Sequence, residues 1–163
     1  MPWVKRKEKN MYELNEKIKE ALLSINFIER YEKLSNLYND EKTASDERLI
    51  YIDGEEVMDT IRDLGYDSKF DSREKFYKLK EEKVGNYIFG FHIILYNGTV
   101  ELIWDVKEND KVLLGSPWGT YAKRLIDPSY IIKKPIIGDY DDLECVLKEA
   151  FIMFEDFKKA ILS

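Results

Sequence analysis

Tyr87-Ile88-Phe89-Gly90-Phe91-His92-Ile93-Ile94-Leu95-Tyr96, then Asn97-Gly98, then Thr99-Val100-Glu101-Leu102-Ile103-Trp104-Asp105-Val106: this stretch decides the fold. Both flanks are rich in β-branched and aromatic residues, and Asn-Gly suits a type I′ turn, whose two central residues need positive φ. Two-residue closure pairs Tyr96 with Thr99 and Leu95 with Val100. Counting outward sets Ile93 against Leu102, Phe91 against Trp104 and Phe89 against Val106. That face is wholly apolar and is expected in the core. The other face sets Ile94 against Glu101, His92 against Ile103 and Gly90 against Asp105.

Helical patterns flank the hairpin. Residues about 9 to 40 read as helix through Leu14, Ile18, Leu22 and Ile25, then Tyr31, Leu34 and Leu37/Tyr38. A break near Ser24-Ile25-Asn26 leaves one long helix and an αα-hairpin both open. Asn39 to Asp46 reads as a polar loop, and Leu49-Ile50-Tyr51-Ile52 is too short to assign. Asp53 with Glu56 forms an acidic capping box, Val57, Ile61 and Leu64 line one helical face, and Gly65 ends it. Phe76-Tyr77-Lys78-Leu79 is expected to be a strand leading into the hairpin, and Val112-Leu113-Leu114 a further strand. Gly115-Ser116-Pro117-Trp118-Gly119 reads as a turn with an aromatic at its tip, and Tyr121 to Ile126 is ambiguous. A C-terminal helix starts at Asp139 or Asp141, with Leu143, Val146/Leu147, Ala150/Phe151, Phe154, Phe157 and Ile161 as its buried stripe. Ile152 and Met153 fall partly outside that stripe, which leaves a deep monomer position and a homodimer face both open.

The order is helices, sheet, helix. It predicts an α+β single domain, residues 1–163: a mainly antiparallel sheet with the N-terminal helices and the C-terminal helix packed on one face. A chain of 163 residues has the length for one sizeable core. Its 26 basic and 32 acidic residues leave a net charge of -6, which argues against a direct nucleic-acid binder and favours a solvated surface or a basic partner. The single cysteine, Cys145, excludes an internal disulfide framework and fits a reducing compartment. No apolar run approaches bilayer length, and the basic N-terminus has no apolar core after it. No membrane span or secretory signal is expected, and the expected location is the cytoplasm.

Few residues offer chemistry. His92 has Glu101 and Asp105 as diagonal neighbours, and a carboxylate beside an imidazole raises its pKa toward general-base work. With Tyr96, these residues define an alternative reading, a small-ligand or enzymatic pocket. No nucleophile or electrophilic stabiliser is placed beside them. Cys145 reads as a buried or half-buried structural cysteine. The acidic groups at Asp53-Gly54-Glu55-Glu56 and at Asp139, Asp141 and Asp142 are accounted for by capping and helix-dipole complementarity, so no metal is expected. No phosphate loop, dinucleotide fingerprint, nucleophile elbow or zinc-protease motif is present, and no cofactor is expected.

In size, acidity, α+β order and missing catalytic motif the chain resembles the small acidic immunity proteins of bacterial toxin systems. The Gly115-Ser116-Pro117-Trp118-Gly119 loop adds to the likeness, as does Lys134-Pro135-Ile136-Ile137 ahead of Tyr140-Asp141-Asp142-Leu143 and its aromatic-rich helix. The resemblance implies a cytoplasmic, non-catalytic protein that neutralises a cognate toxin, such as a nuclease, by covering a basic cleft. Such a protein uses acidic side chains as phosphate mimics and an aromatic anchor at the desolvated centre. The expected partner-binding residues are Asp139, Tyr140, Asp141, Asp142, Glu144, Glu155 and Asp156, with Trp118 as the anchor or, equally, tucked under the sheet.

Overall fold

The hairpin forms in the expected register. Strands β4 (Tyr87–Tyr96) and β5 (Thr99–Glu108) pair antiparallel from Tyr96↔Thr99 through Gly90↔Asp105 to Tyr87↔Glu108. Asn97 and Gly98 both have positive φ, 51° and 76°, as a type I′ turn requires. Phe89, Phe91, Ile93, Val100, Leu102, Trp104 and Val106 are buried, while Leu95, near the turn, is only half-buried.

The computed structural model describes residues 13–163; residues 9–12 of the first expected helix lie outside the described residues, and residues 13–15 are not helical, since Asn15 caps a helix that begins at Glu16. Within them the chain is α+β, with five helices and one antiparallel sheet of six strands. Helices α1 (Glu16–Ser24) and α2 (Phe27–Leu37) are separate, because Asn26 adopts a left-handed φ of 57° between them. Asn15 caps α1, accepting from the backbone N–H of Lys17 and Ile18. Helix α3 (Gly54–Asp63) is capped by Asp53, which accepts from the Glu55 N–H at 3.0 Å. The reciprocal half of the expected capping box is absent: the Asp53 N–H donates to the Tyr140 hydroxyl instead, at 2.9 Å.

Strand β1 (Ser68–Asp71) hairpins onto β2 (Phe76–Leu79). β2 and β3 (Glu82–Val84) then share one edge of β4, β2 at Ile93 and His92, β3 at Phe89 to Tyr87. β6 (Lys111–Pro117) takes the far edge of β5 with a bulge at Val106/Lys107. Beyond its reach the segment at Pro135–Ile137 continues the pairing: the Val100 N–H donates to Pro135 O and the Ile137 N–H to Gly98 O.

The expected turn at residues 115–119 is not a turn. β6 runs through Pro117, and Trp118 opens helix α4 (Trp118–Leu125). Trp118, Tyr121 and Ala122 fall on one helical side and are buried. Helix α5 (Tyr140–Leu162) buries its whole expected stripe and also Met153, while Ile152 is 45% exposed. α5 packs against α1, α2 and α3. Phe157 stacks on Trp104 with ring centroids 4.8 Å apart, and Phe154 meets Phe91 edge-on at 5.1 Å. Lys158 is the charged exception in this interface. It is 5% exposed, bonds Glu82 of β3 and Glu155 one turn earlier, and lies over the Phe154 ring.

Candidate functional site

His92 lies on the sheet face opposite the helices, and its nearest carboxylate is Asp105, with Nε2 to Oδ2 at 3.5 Å. Gly90 makes the pair possible. It stands opposite Asp105, and a Cβ there would sit 2.4 Å from the carboxylate, so only glycine lets Asp105 lie across β4 toward the imidazole. Phe76 packs on the ring at 4.2 Å. The expected raised histidine pKa is corrected. Burial lowers it, Asp105 pulls it up, and Lys78, directly opposite in the register, pushes it down again; the net direction is downward from 6.5. Burial moves the Asp105 carboxyl upward, against the pull of His92.

The other members of the expected pocket are elsewhere. Glu101 is paired with Lys134, and Tyr96 lies four residues along β4, about 13 Å at the strand rise, where it lines a different hollow. Cys145 is exposed on α5, not buried, because it falls off the apolar stripe of that helix. Among the described residues no three His, Cys, Asp or Glu side chains gather into a metal-binding group.

Trp118 is corrected as a surface anchor. It is 1% exposed and sits in an aromatic knot, with Phe27 and Tyr31 each 5.2 Å away and Trp104 at 5.0 Å. It reaches no partner while the fold is intact.

The acidic candidates divide. Asp139 caps α5 by accepting from the Asp142 N–H at 2.8 Å. Asp142 pairs with Lys42 at 2.7 Å and accepts from the Gly138 N–H. Tyr140 is half-buried and tied to Asp53. Asp141 and Glu144 are exposed. Glu155 and Asp156 begin roughly 16 Å further along the helix. They are spent on internal contacts, Glu155 with Tyr66 at 2.5 Å and with Lys158, Asp156 with Arg30 at 2.9 Å. Burial acts to raise the Glu155 carboxyl, but the Tyr66 and Lys158 bonds outweigh it and hold it low.

What the fold adds is the ground around Asp139–Glu144. Residues 39–67 carry ten acidic and three basic side chains, and residues 139–144 four acidic and no basic ones. These segments are far apart in sequence yet packed together. Lys42 meets Asp142, the Leu49 N–H donates to Ile137 O at 2.9 Å, Asp53 meets Tyr140, and α3 packs on α5. These packed segments therefore hold a larger acidic excess than the whole chain.

Beside them lies an apolar hollow of about 810 Å³, between the β4–β5 turn and the start of α3. Ile52, Met58, Phe70, Tyr77, Leu95 and Tyr96 line it, with Asp53, Glu55 and Lys75 also on its wall. Tyr96 is 77% exposed, Phe70 43%, and Tyr51, next to Ile52 in the chain, 93%. The sequence signal for these aromatics was the unassigned run Leu49–Ile52 and the outward parity of Tyr96. Neither residue pattern says that the two segments meet. Comparison with protein-family models, curated proteins and solved structures finds no match.

Proposed function

We propose that this chain is a non-catalytic binding protein of the bacterial immunity class, which neutralises a cognate toxin by seating its acidic face on a basic cleft. The observation that supports it is the charge segregation: residues 39–67 and 139–144, with fourteen acidic side chains against three basic, pack against each other. A cleft built to bind nucleic acid is lined with Lys and Arg, so a nuclease toxin has the complementary charge. Asp141, Glu144 and Glu55 are exposed and stand as phosphate mimics, and the exposed Asp59 joins them while also pairing with Arg62; the caps Asp53 and Asp139 each use one carboxylate oxygen and keep the other for a partner. The cytoplasm, where such a toxin acts, is the proposed place of work. No helix among the described residues is long and apolar enough to cross a membrane.

The enzymatic alternative loses its outline. Glu101 is taken by Lys134, Tyr96 belongs to another hollow, and the exposed thiol of Cys145 stands on the helix layer, across the sheet from His92. The test is direct. The protein is mixed with the product of each gene neighbouring its own that encodes a toxin, and affinity is measured by calorimetry across salt concentrations. Tight binding that weakens steeply with salt is expected. Absence of binding to any neighbouring toxin overturns the reading.

A further inference from the structure

The hollow between the β4–β5 turn and α3 is a poor place to leave apolar surface in water. Its lining residues are not there to close the core, since Tyr77 already seals the floor at 5% exposure and Phe70 packs on it at 4.8 Å. Met58 and Leu95 stand half-buried in its wall, and Tyr96 projects from the turn at 77% exposure. Its α3 wall is acidic: Asp53 and Glu55 line it and Glu56 follows, while Asp59 further on is paired with Arg62. The facing β1–β2 hairpin contributes Lys75. An apolar hollow with one acidic wall is complementary to an apolar side chain flanked by cations on that side. Interface hot spots are built where such an anchor fills a pocket and water is excluded around it.

We propose that this hollow is the anchor pocket of the acidic face. It takes one large aromatic side chain, which packs against the exposed rings of Tyr96 and Phe70, from a Lys/Arg-rich segment of the partner protein. The proposal rests on reading the acidic face as the binding surface. It replaces the anchor expected at Trp118 with a pocket that receives the partner's anchor.

The full chain, methyl-labelled, is titrated by NMR with three synthetic peptides: Lys-Lys-Gly-Trp-Gly-Lys-Lys, the same peptide with Ala for Trp, and Glu-Glu-Gly-Trp-Gly-Glu-Glu. The first is expected to shift the methyls of Ile52, Met58 and Leu95 saturably, with the other two at least tenfold weaker. Tyr96→Ala, at a 77% exposed position, is expected to weaken it at least fivefold with an unchanged melting temperature, and Phe70→Ala to weaken it as much with a small fall, since Phe70 packs on Tyr77. Equal affinity of the Trp and Ala peptides, with shifts along α3 and residues 139–144 only, overturns the pocket and leaves the acidic face standing. No binding of either basic peptide overturns both. Movement of the groove methyls on simple dilution assigns the hollow to a second copy of this chain and overturns the proposal.

Discussion

At the scale of single residues, the face of the sheet away from the helices turns on Gly90. Its missing Cβ is the room in which the Asp105 carboxylate lies, and from there Asp105 holds up a histidine pKa that burial and Lys78 press down. Gly90→Ala is expected to push Asp105 off β4 and drop the His92 titration midpoint further, read by NMR; an unmoved midpoint refutes this account. The sign for stability follows. The folded imidazole resists protonation more than the unfolded one, so its contribution is complete above pH 6.5 and is lost as pH falls below it. Asp105 works oppositely at the acid end, where its raised folded pKa favours the folded state as pH falls through that value toward 3.8. His92→Gln is expected to flatten the fall in melting temperature just below pH 6.5, with Asp105, Lys78, Glu81 and Asp71 the charges facing it. The register of His92 was legible from Asn97-Gly98 alone. Its burial was not, because packing by Phe76 comes from a strand whose pairing the pattern does not fix, and burial decides the direction.

At the scale of elements, α4 shows what a local pattern hides. Pro117 and Gly119 around Trp118 look like a turn, yet Trp118, Tyr121 and Ala122 are the buried side of a helix that begins as β6 ends. Trp118→Ala is expected to cost about 3–5 kcal/mol in denaturant unfolding, the range for emptying a large aromatic site. Trp118→Phe is expected to cost much less, since the buried indole N–H of Trp118 has no hydrogen-bond partner among the described residues. Lys158 is a second lesson in the same layer. It sits within the apolar side of α5, where charge patterning gives no reason to bury it, and bridges α5 to β3 through Glu82 and Glu155. Lys158→Ala is expected to cost roughly 2 kcal/mol, below the usual figure for breaking a buried pair because both carboxylates reach solvent. Helices α1, α3 and α5 were legible because their apolar periodicity is strong, and the caps of α3 and α5 are explicit; the Asn15 cap that starts α1 was not read. β1 and β3 were not, being three or four residues long and largely exposed.

At the scale of the whole molecule, net charge is a weak guide and its placement a strong one. The value of -6 averages an acidic face against a basic stretch at residues 68–80, which has five Lys/Arg and two Asp/Glu. The acidic character was legible by counting; that residues 39–67 and 139–144 pack together was not, because the contacts that join them span most of the chain. Reversing Glu55, Asp59, Asp141 and Glu144 together to lysine is expected to weaken partner binding by at least tenfold at low salt and far less at high salt, with the folded state retained, as these side chains are exposed. Calorimetry at two ionic strengths checks it; equal losses at both would point to misfolding and not to charge.

The short segment at Pro135–Ile137 joins that face to the hairpin. Its backbone bonds tie residue 136 to Tyr38, residue 137 to Leu49 and Gly98, and residue 135 to Val100. Partners so distant in sequence are costly to bring together and form late. The surface is therefore assembled late: a nascent chain that has not reached residue 137 owns every acidic residue of segment 39–67 but lacks the bonds at Ile136 and Ile137 that tie Tyr38, Leu49 and Gly98 together. The proposed binding surface is complete only once residues 135–144 have been added.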